Sequence, residues 1–96
     1  MITMELLKAR REEILEIAQR HGAGNLRVFG SVVRGESGEK SDIDFLVDVG
    51  EHPSPWFPVG LIEDLESCLG HKVDVVSEDG LYWLLRRRIL KEAKHL

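Results

Sequence analysis

The run from Asp42 to Val49 alternates without a break. Ile43, Phe45, Val47 and Val49 fall on one face of an extended chain, and Asp42, Asp44, Leu46 and Asp48 fall on the other. A helix cannot use that order, because a period of two scatters apolar residues around a 3.6-residue turn. A slip of one residue would turn the apolar set to water and the acids inward, so the register is strongly specified. This strand sets the terms for the rest of the chain. Its apolar face needs helices to cover it, and its acidic face must line a site or meet solvent.

The remaining segments supply those helices. Residues 4–21 predict a helix striped by Leu7, Ile14, Leu15 and Ala18, with Lys8, Arg10, Arg11, Glu12 and Glu13 toward water and with Gly22 and Gly24 ending it. Leu26 to Phe29 predicts a short strand that runs into Gly30-Ser31, after which Val32-Val33-Arg34 starts a short helix and Glu36 to Lys40 makes a polar loop. The prolines of His52-Pro53-Ser54-Pro55-Trp56-Phe57-Pro58 remove donors and fix φ, which predicts an ordered loop pinned by its aromatics. Residues 59–69 predict a helix closed by Gly70, Lys72 to Ser77 a third strand, and Leu81 to about Lys94 a final helix. The order is α/β-like, and it predicts a small α+β fold: one sheet with helices packed on one side, in a single domain over residues 1–96.

Chemistry concentrates on the acidic face. Asp42 and Asp44 project from the same side of the strand, their Cα atoms ~7 Å apart at ~3.3 Å per residue. Asp74 sits inside an apolar run, Lys72-Val73-Asp74-Val75-Val76, where an idle surface acid is out of place. A third carboxylate on a neighbouring strand would complete an all-oxygen pocket that suits Mg²⁺ or Mn²⁺ and suits zinc poorly. The Gly30-Ser31 turn offers backbone N–H groups and a hydroxyl to a phosphate, with glycine where the backbone must approach a ligand closely. Arg34 either points at those phosphates or pairs with an acid. The duller readings are that Asp42 caps the strand, Asp44 is solvated, Asp74 lies on an edge strand and Ser31 is an N-cap. Metal-binding acids beside a phosphate cradle point to phosphoryl or nucleotidyl transfer.

Gly30-Ser31, ten intervening residues and then Asp42-Ile43-Asp44 resemble the signature of the DNA polymerase β-like nucleotidyltransferase superfamily. The Gly30-Ser31-x-x-Arg34-Gly35 form and the Ser41-Asp42-Ile43-Asp44-Phe45-Leu46-Val47 run are similar to its minimal nucleotidyltransferase branch, which includes antitoxins paired with HEPN-domain ribonuclease toxins. The resemblance implies a mixed sheet of three to four strands and an enzyme that uses ATP with Mg²⁺, two ions held by Asp42, Asp44 and Asp74. Asp42 and Asp44 would reach the metals directly, and Asp74 would serve the incoming hydroxyl and help take its proton. Gly30 and Ser31, with Arg34, would hold the β- and γ-phosphates. It further implies an antitoxin of a type VII toxin–antitoxin system. AMP would pass to a tyrosine hydroxyl of a HEPN toxin held in a hetero-oligomer. Larger relatives carry extra domains for the base or acceptor, so at this length a partner is expected to supply the acceptor surface. Two rivals remain: stoichiometric masking of the toxin, and transfer to a small molecule or RNA end.

Charge and composition exclude other classes. The net charge of −4 gives no electrostatic footprint for stable nucleic-acid binding, against a free-standing polymerase. Cys68 is the one cysteine, which rules out an internal disulfide, fits a reducing compartment and reads as a small buried apolar residue. No apolar stretch approaches the ~18 residues of a membrane span, and no basic segment followed by an apolar one opens the chain, so a cytoplasmic protein is expected. His21, His52, His71 and His95 lack metal-type spacing and read as surface. Arg86, Arg87 and Arg88, with Lys91 and Lys94, read as a solvated helical face or as a contact for a partner or triphosphate; Tyr82 and Trp83 read as core or interface anchors. Asp48 reads as rim.

Overall fold

The alternating run does become a strand, and the others assemble around it. In the computed structural model, which describes residues 2–96, the chain passes through α1 (Met4–Ala9), α2 (Arg11–Arg20), β1 (Ala23–Phe29), α3 (Ser31–Arg34), β2 (Ile43–Val49), α4 (Val59–Leu69), β3 (Val73–Ser77), a 3-10 turn (Glu78–Gly80), α5 (Trp83–Glu92) and β4 (Lys94–His95). The strands form one four-stranded sheet in the order β3-β2-β1-β4. β1 is antiparallel to both β2 and β4, and β3 is parallel to β2, so the sheet is mixed.

The inner face of β2 is the core. Ile43, Phe45 and Val47 are fully buried and join Val28, Val73 and Val75 from the flanking strands with Leu7, Ile14, Leu61 and Leu65 from the helices. Register explains the grouping: Phe45 pairs with Val28 on one side and Val75 on the other, and paired residues share a face. Each such side chain contributes about 1.5–3 kcal/mol on burial. Val49, opposite Ala23 where the sheet ends, is exposed instead.

Leu46 breaks the polar rule on the other face and is also fully buried. Its partner on β1 is Arg27, itself only 7% exposed. The Arg27 guanidinium donates to Asp48 at 2.9 Å and Glu78 at 3.3 Å, and its Nε donates to the Asn25 carbonyl at 2.9 Å. A clamp of β1, β2 and the 3-10 turn therefore closes that half of the face, and Asp48 belongs to it.

Several local expectations change. The predicted 4–21 helix is broken at Arg10 (φ −108°, ψ 17°), whose side chain forks onto Glu13 and also donates to Cys68 Sγ at 3.3 Å. In the second half, Ile17 is buried with Ile14 and Ala18, whereas Leu15 is only partly covered. β1 starts three residues early, with a register shift between Gly24 and Arg27 where Asn25 has φ 47°. α5 stops at Glu92 because Lys94 and His95 extend to pair with β1.

His21 is not a surface residue. Its ring sits 2.7 Å from Ser54 Oγ and 2.7 Å from Asp64 Oδ2, tying the end of α2 to the proline loop and α4. Phe57 packs against the core, but Trp56 does not and is 87% exposed. Cys68 is half-buried against the core, and that burial pushes its thiol pKa up. Tyr82 and Trp83 are exposed, so they are not core. Among the described residues no helix is long and apolar enough to cross a membrane.

Candidate active site

The turn from β1 into α3 is built around Gly30, which has φ 80° and ψ −152°, a conformation that residues with a Cβ avoid. Space imposes the same choice. Phe29 pairs with Asp44 across the sheet, and a Cβ on Gly30 would run into the Asp44 carboxylate. One glycine thus permits both the turn and the close approach of the acid. Ser31 follows as the first residue of α3. The cap position belongs to Gly30 and no side chain caps the helix, so the N-cap reading of Ser31 does not hold.

The parallel register of β2 and β3 sets Asp44 directly opposite Asp74, on strands ~4.8 Å apart. Asp42 lies immediately before β2, two residues from Asp44 and on the same side. The loop leading to it is closed by the Gly38 N–H donating to Ser41 Oγ at 3.0 Å and the Ser41 N–H donating to the Gly38 carbonyl at 3.1 Å. Asp42 and Asp74 are exposed, and Asp44 between them is half-buried. Burial, then the charge of Asp74, then that of Asp42 push the Asp44 carboxyl from an ordinary 3.8 up to about 6, with Arg34 opposing.

The three acids therefore act on one another, and Asp44 holds a proton far longer than a lone aspartate. Among the described residues, however, no three acid, histidine or cysteine side chains stand as a ready-made ligand set. The donor chemistry fits a hard divalent cation: oxygen ligands alone, with excess negative charge that a cation relieves. The carboxylates face one patch without closing into a cage.

The phosphate side holds a feature that the sequence reading missed. The Gly30 N–H donates to Glu92 Oε2 at 2.9 Å, and Arg34 Nη1 donates to Glu92 Oε1 at 2.6 Å. Arg34 also donates through Nε to Glu36 at 3.0 Å. In this structure, then, Arg34 pairs with acids. Burial opposes ionisation of Glu92, but the Arg34 and Gly30 hydrogen bonds outweigh it and hold its carboxyl below the usual value. Phe29, Gly30, Arg34, Leu85, Arg88 and Glu92 line a cleft of 130 Å³ between the turn and α5. A sequence signal for Glu92 existed: it is the only acid after Asp79, set among Arg86, Arg87, Arg88, Lys91 and Lys94. Of the three arginines, Arg86 donates to the Glu78 carbonyl at 2.8 Å and Arg88 faces the cleft.

Comparison with known proteins places these observations in a family. The profile of the nucleotidyltransferase domain matches residues 11–96. A protein of Methanocaldococcus jannaschii, provisionally named a protein adenylyltransferase, is 42% identical over 83 residues, covering 86% of this chain and 89% of its own. Protein adenylyltransferase MntA of Thermococcus cleftensis is 39% identical over 100 residues, covering 100% of this chain and 98% of its own. A solved structure provisionally named a minimal nucleotidyltransferase superposes with a TM-score of 0.85 at 47% identity, covering 99% of this chain and 97% of that one. A toxin–antitoxin crystal structure with AMP-PNP shares the fold, with a TM-score of 0.72 at 22% identity, over 86% of this chain and 68% of that one.

Proposed function

This chain belongs to the nucleotidyltransferase domain family, and from that premise we propose that it is a Mg²⁺-dependent protein adenylyltransferase, a single domain over residues 1–96. In this reading it moves AMP from ATP to a tyrosine hydroxyl of a partner HEPN ribonuclease toxin in the cytoplasm, and so acts as the antitoxin. The protein acceptor is carried over from the relatives named protein adenylyltransferase, and the antitoxin role from the resemblance to the antitoxins of the minimal nucleotidyltransferase branch, whose fold a toxin–antitoxin structure shares. The observation that carries the chemistry is the in-register pair Asp44–Asp74, with the Asp44 carboxyl raised to about 6 beside the Gly30 turn.

Asp42, Asp44 and Asp74 hold Mg²⁺, and Gly30, Ser31 and Arg34 hold the β- and γ-phosphates. Bound Mg²⁺ supplies positive charge against the oxygens that gain negative charge during displacement. The acceptor oxygen forms a bond to the α-phosphorus as the bond to the bridging oxygen of pyrophosphate breaks. Asp74, on the exposed side of the pair, receives the hydroxyl proton. The Gly30 N–H and the Arg34 guanidinium orient the leaving pyrophosphate in line.

The test is transfer of label from ATP carrying a labelled α-phosphate, with the cognate toxin as acceptor and mass spectrometry to locate the adduct. The reading requires an adenylyl adduct on a toxin tyrosine that needs Mg²⁺ and disappears in Asp44→Asn. Label that stays on free nucleotide, or an Asp44→Asn variant that transfers at wild-type rate, would remove it.

A further inference from the structure

Two of the three residues proposed to hold phosphate, Gly30 and Arg34, are already engaged. Gly30 N–H and Arg34 Nη1 converge on the two oxygens of one carboxylate, Glu92, at 2.9 and 2.6 Å. That side chain is 16% exposed and comes from the last residue of α5, 62 positions from Gly30. A carboxylate in this fork satisfies the same donors, with the same sign of charge, as a nonbridging phosphate edge. Two anions cannot share one N–H donor at hydrogen-bond distance, and inside a cleft their repulsion is poorly screened.

We infer that Glu92 is an internal stand-in for a nucleotide phosphate, and that ATP binds by displacing it from Gly30 and Arg34. The inference rests on the proposed role of those two residues as phosphate contacts and adds a self-imposed gate to it. The displaced element is lightly held. α5 has no buried residue, and beyond Glu92 it is held by the Arg86 bond to the Glu78 carbonyl, by packing of partly covered residues and by the two-residue strand β4. Arg88 lines the same cleft, so a phosphate that replaces Glu92 meets a second guanidinium beside Arg34. A protein that must first release its own carboxylate binds nucleotide more weakly by the fraction of time the fork is free.

Calorimetry on the full chain with Mg²⁺ and a nonhydrolysable ATP analogue tests this. Glu92→Ala is expected to lower Kd by about tenfold, and Glu92→Gln, which keeps a neutral acceptor for the Gly30 N–H, to lower it by less. Arg34→Ala is expected to raise Kd, and adding Glu92→Ala to it should recover less than the same change gains in the wild type. Hydrogen exchange gives an independent readout: analogue should speed exchange across residues 83–95 in the wild type, and Glu92→Ala should be fast without it. Should Glu92→Ala fail to fold, Glu92→Gln carries the test, its fold checked by thermal melting. A folded Glu92→Gln protein whose Kd is unchanged or higher overturns the inference, and so does a set of proteins none of which binds the analogue. Tightened binding without adenylyl transfer would remove the proposed activity and keep the gate; transfer with an unmoved Kd would do the reverse.

Discussion

Asp44 is the residue on which the site turns, and its acidity makes a stability prediction with a definite sign. Folded, its carboxyl keeps a proton up to about pH 6; its ordinary value is 3.8. Between those values the folded protein binds more protons than the unfolded chain, so stability falls as pH rises through that window and is flat above it. Asparagine keeps the shape and removes the charge. Asp44→Asn is therefore expected to melt higher than wild type at pH 7.5, by on the order of 1 kcal/mol once solvent screening of a half-exposed group is allowed for, and to lose the slope between pH 4 and 6. Calorimetric melts of both proteins at pH 4.5 and 7.5 check it; a variant less stable at pH 7.5 would contradict the electrostatic account. Asp74→Ala removes the acidic neighbour that acts most strongly on Asp44 and is expected to leave the apo protein unchanged or slightly firmer. Mg²⁺ plus nucleotide should then raise the wild-type Tm and not the mutant's. Equal shifts in the two proteins would count against Asp74 as a ligand.

At the scale of elements, β2 divides its labour between faces. One face is core; the other is half site, around Asp44, and half clamp, around Leu46 and Arg27. Arg27→Ala removes the guanidinium that bridges Asp48 and Glu78 together with the stem packed in that layer. Both acids keep solvent access, so the expected loss is roughly 2 kcal/mol in urea unfolding, from packing and hydrogen bonds rather than from a stranded charge. A loss below about 0.5 kcal/mol would mean that the clamp does not hold the turn. These elements also mark where sequence was sufficient. The β2 register followed from alternation, because burial of one face leaves a period that can be read; that β3 lies beside β2 with Asp74 opposite Asp44 is set by the sheet pairing, which no period in either strand announces. β4 was invisible: its two residues carry no period, and only pairing with Arg27 and Val28 makes them a strand. The break at Arg10 has no glycine or proline to announce it. His21 was misjudged and Glu92 passed over for a shared reason, since their partners, Asp64 and Gly30, lie 43 and 62 residues away. Local pattern fixes which face a side chain is on, not what the fold brings to meet it.

For the whole molecule, the architecture puts the acids on the shared face of β2 and β3, the Gly30 turn beside them, and α5 against that turn. The chain belongs to the nucleotidyltransferase domain family, and its sheet is four-stranded and mixed. An enzyme and a masking antitoxin built on this frame differ in one quantity, the number of partner molecules each copy can silence. The most direct measurement is therefore ribonuclease activity of the HEPN toxin proposed as partner, after incubation with this chain at one part in fifty, with ATP and Mg²⁺ and then with Asp44→Asn in its place. The account predicts near-complete loss of ribonuclease activity with the wild type, accompanied by an adenylyl adduct on the toxin, and full activity with the variant. Silencing that requires one copy per toxin, proceeds without ATP and survives Asp44→Asn would contradict it.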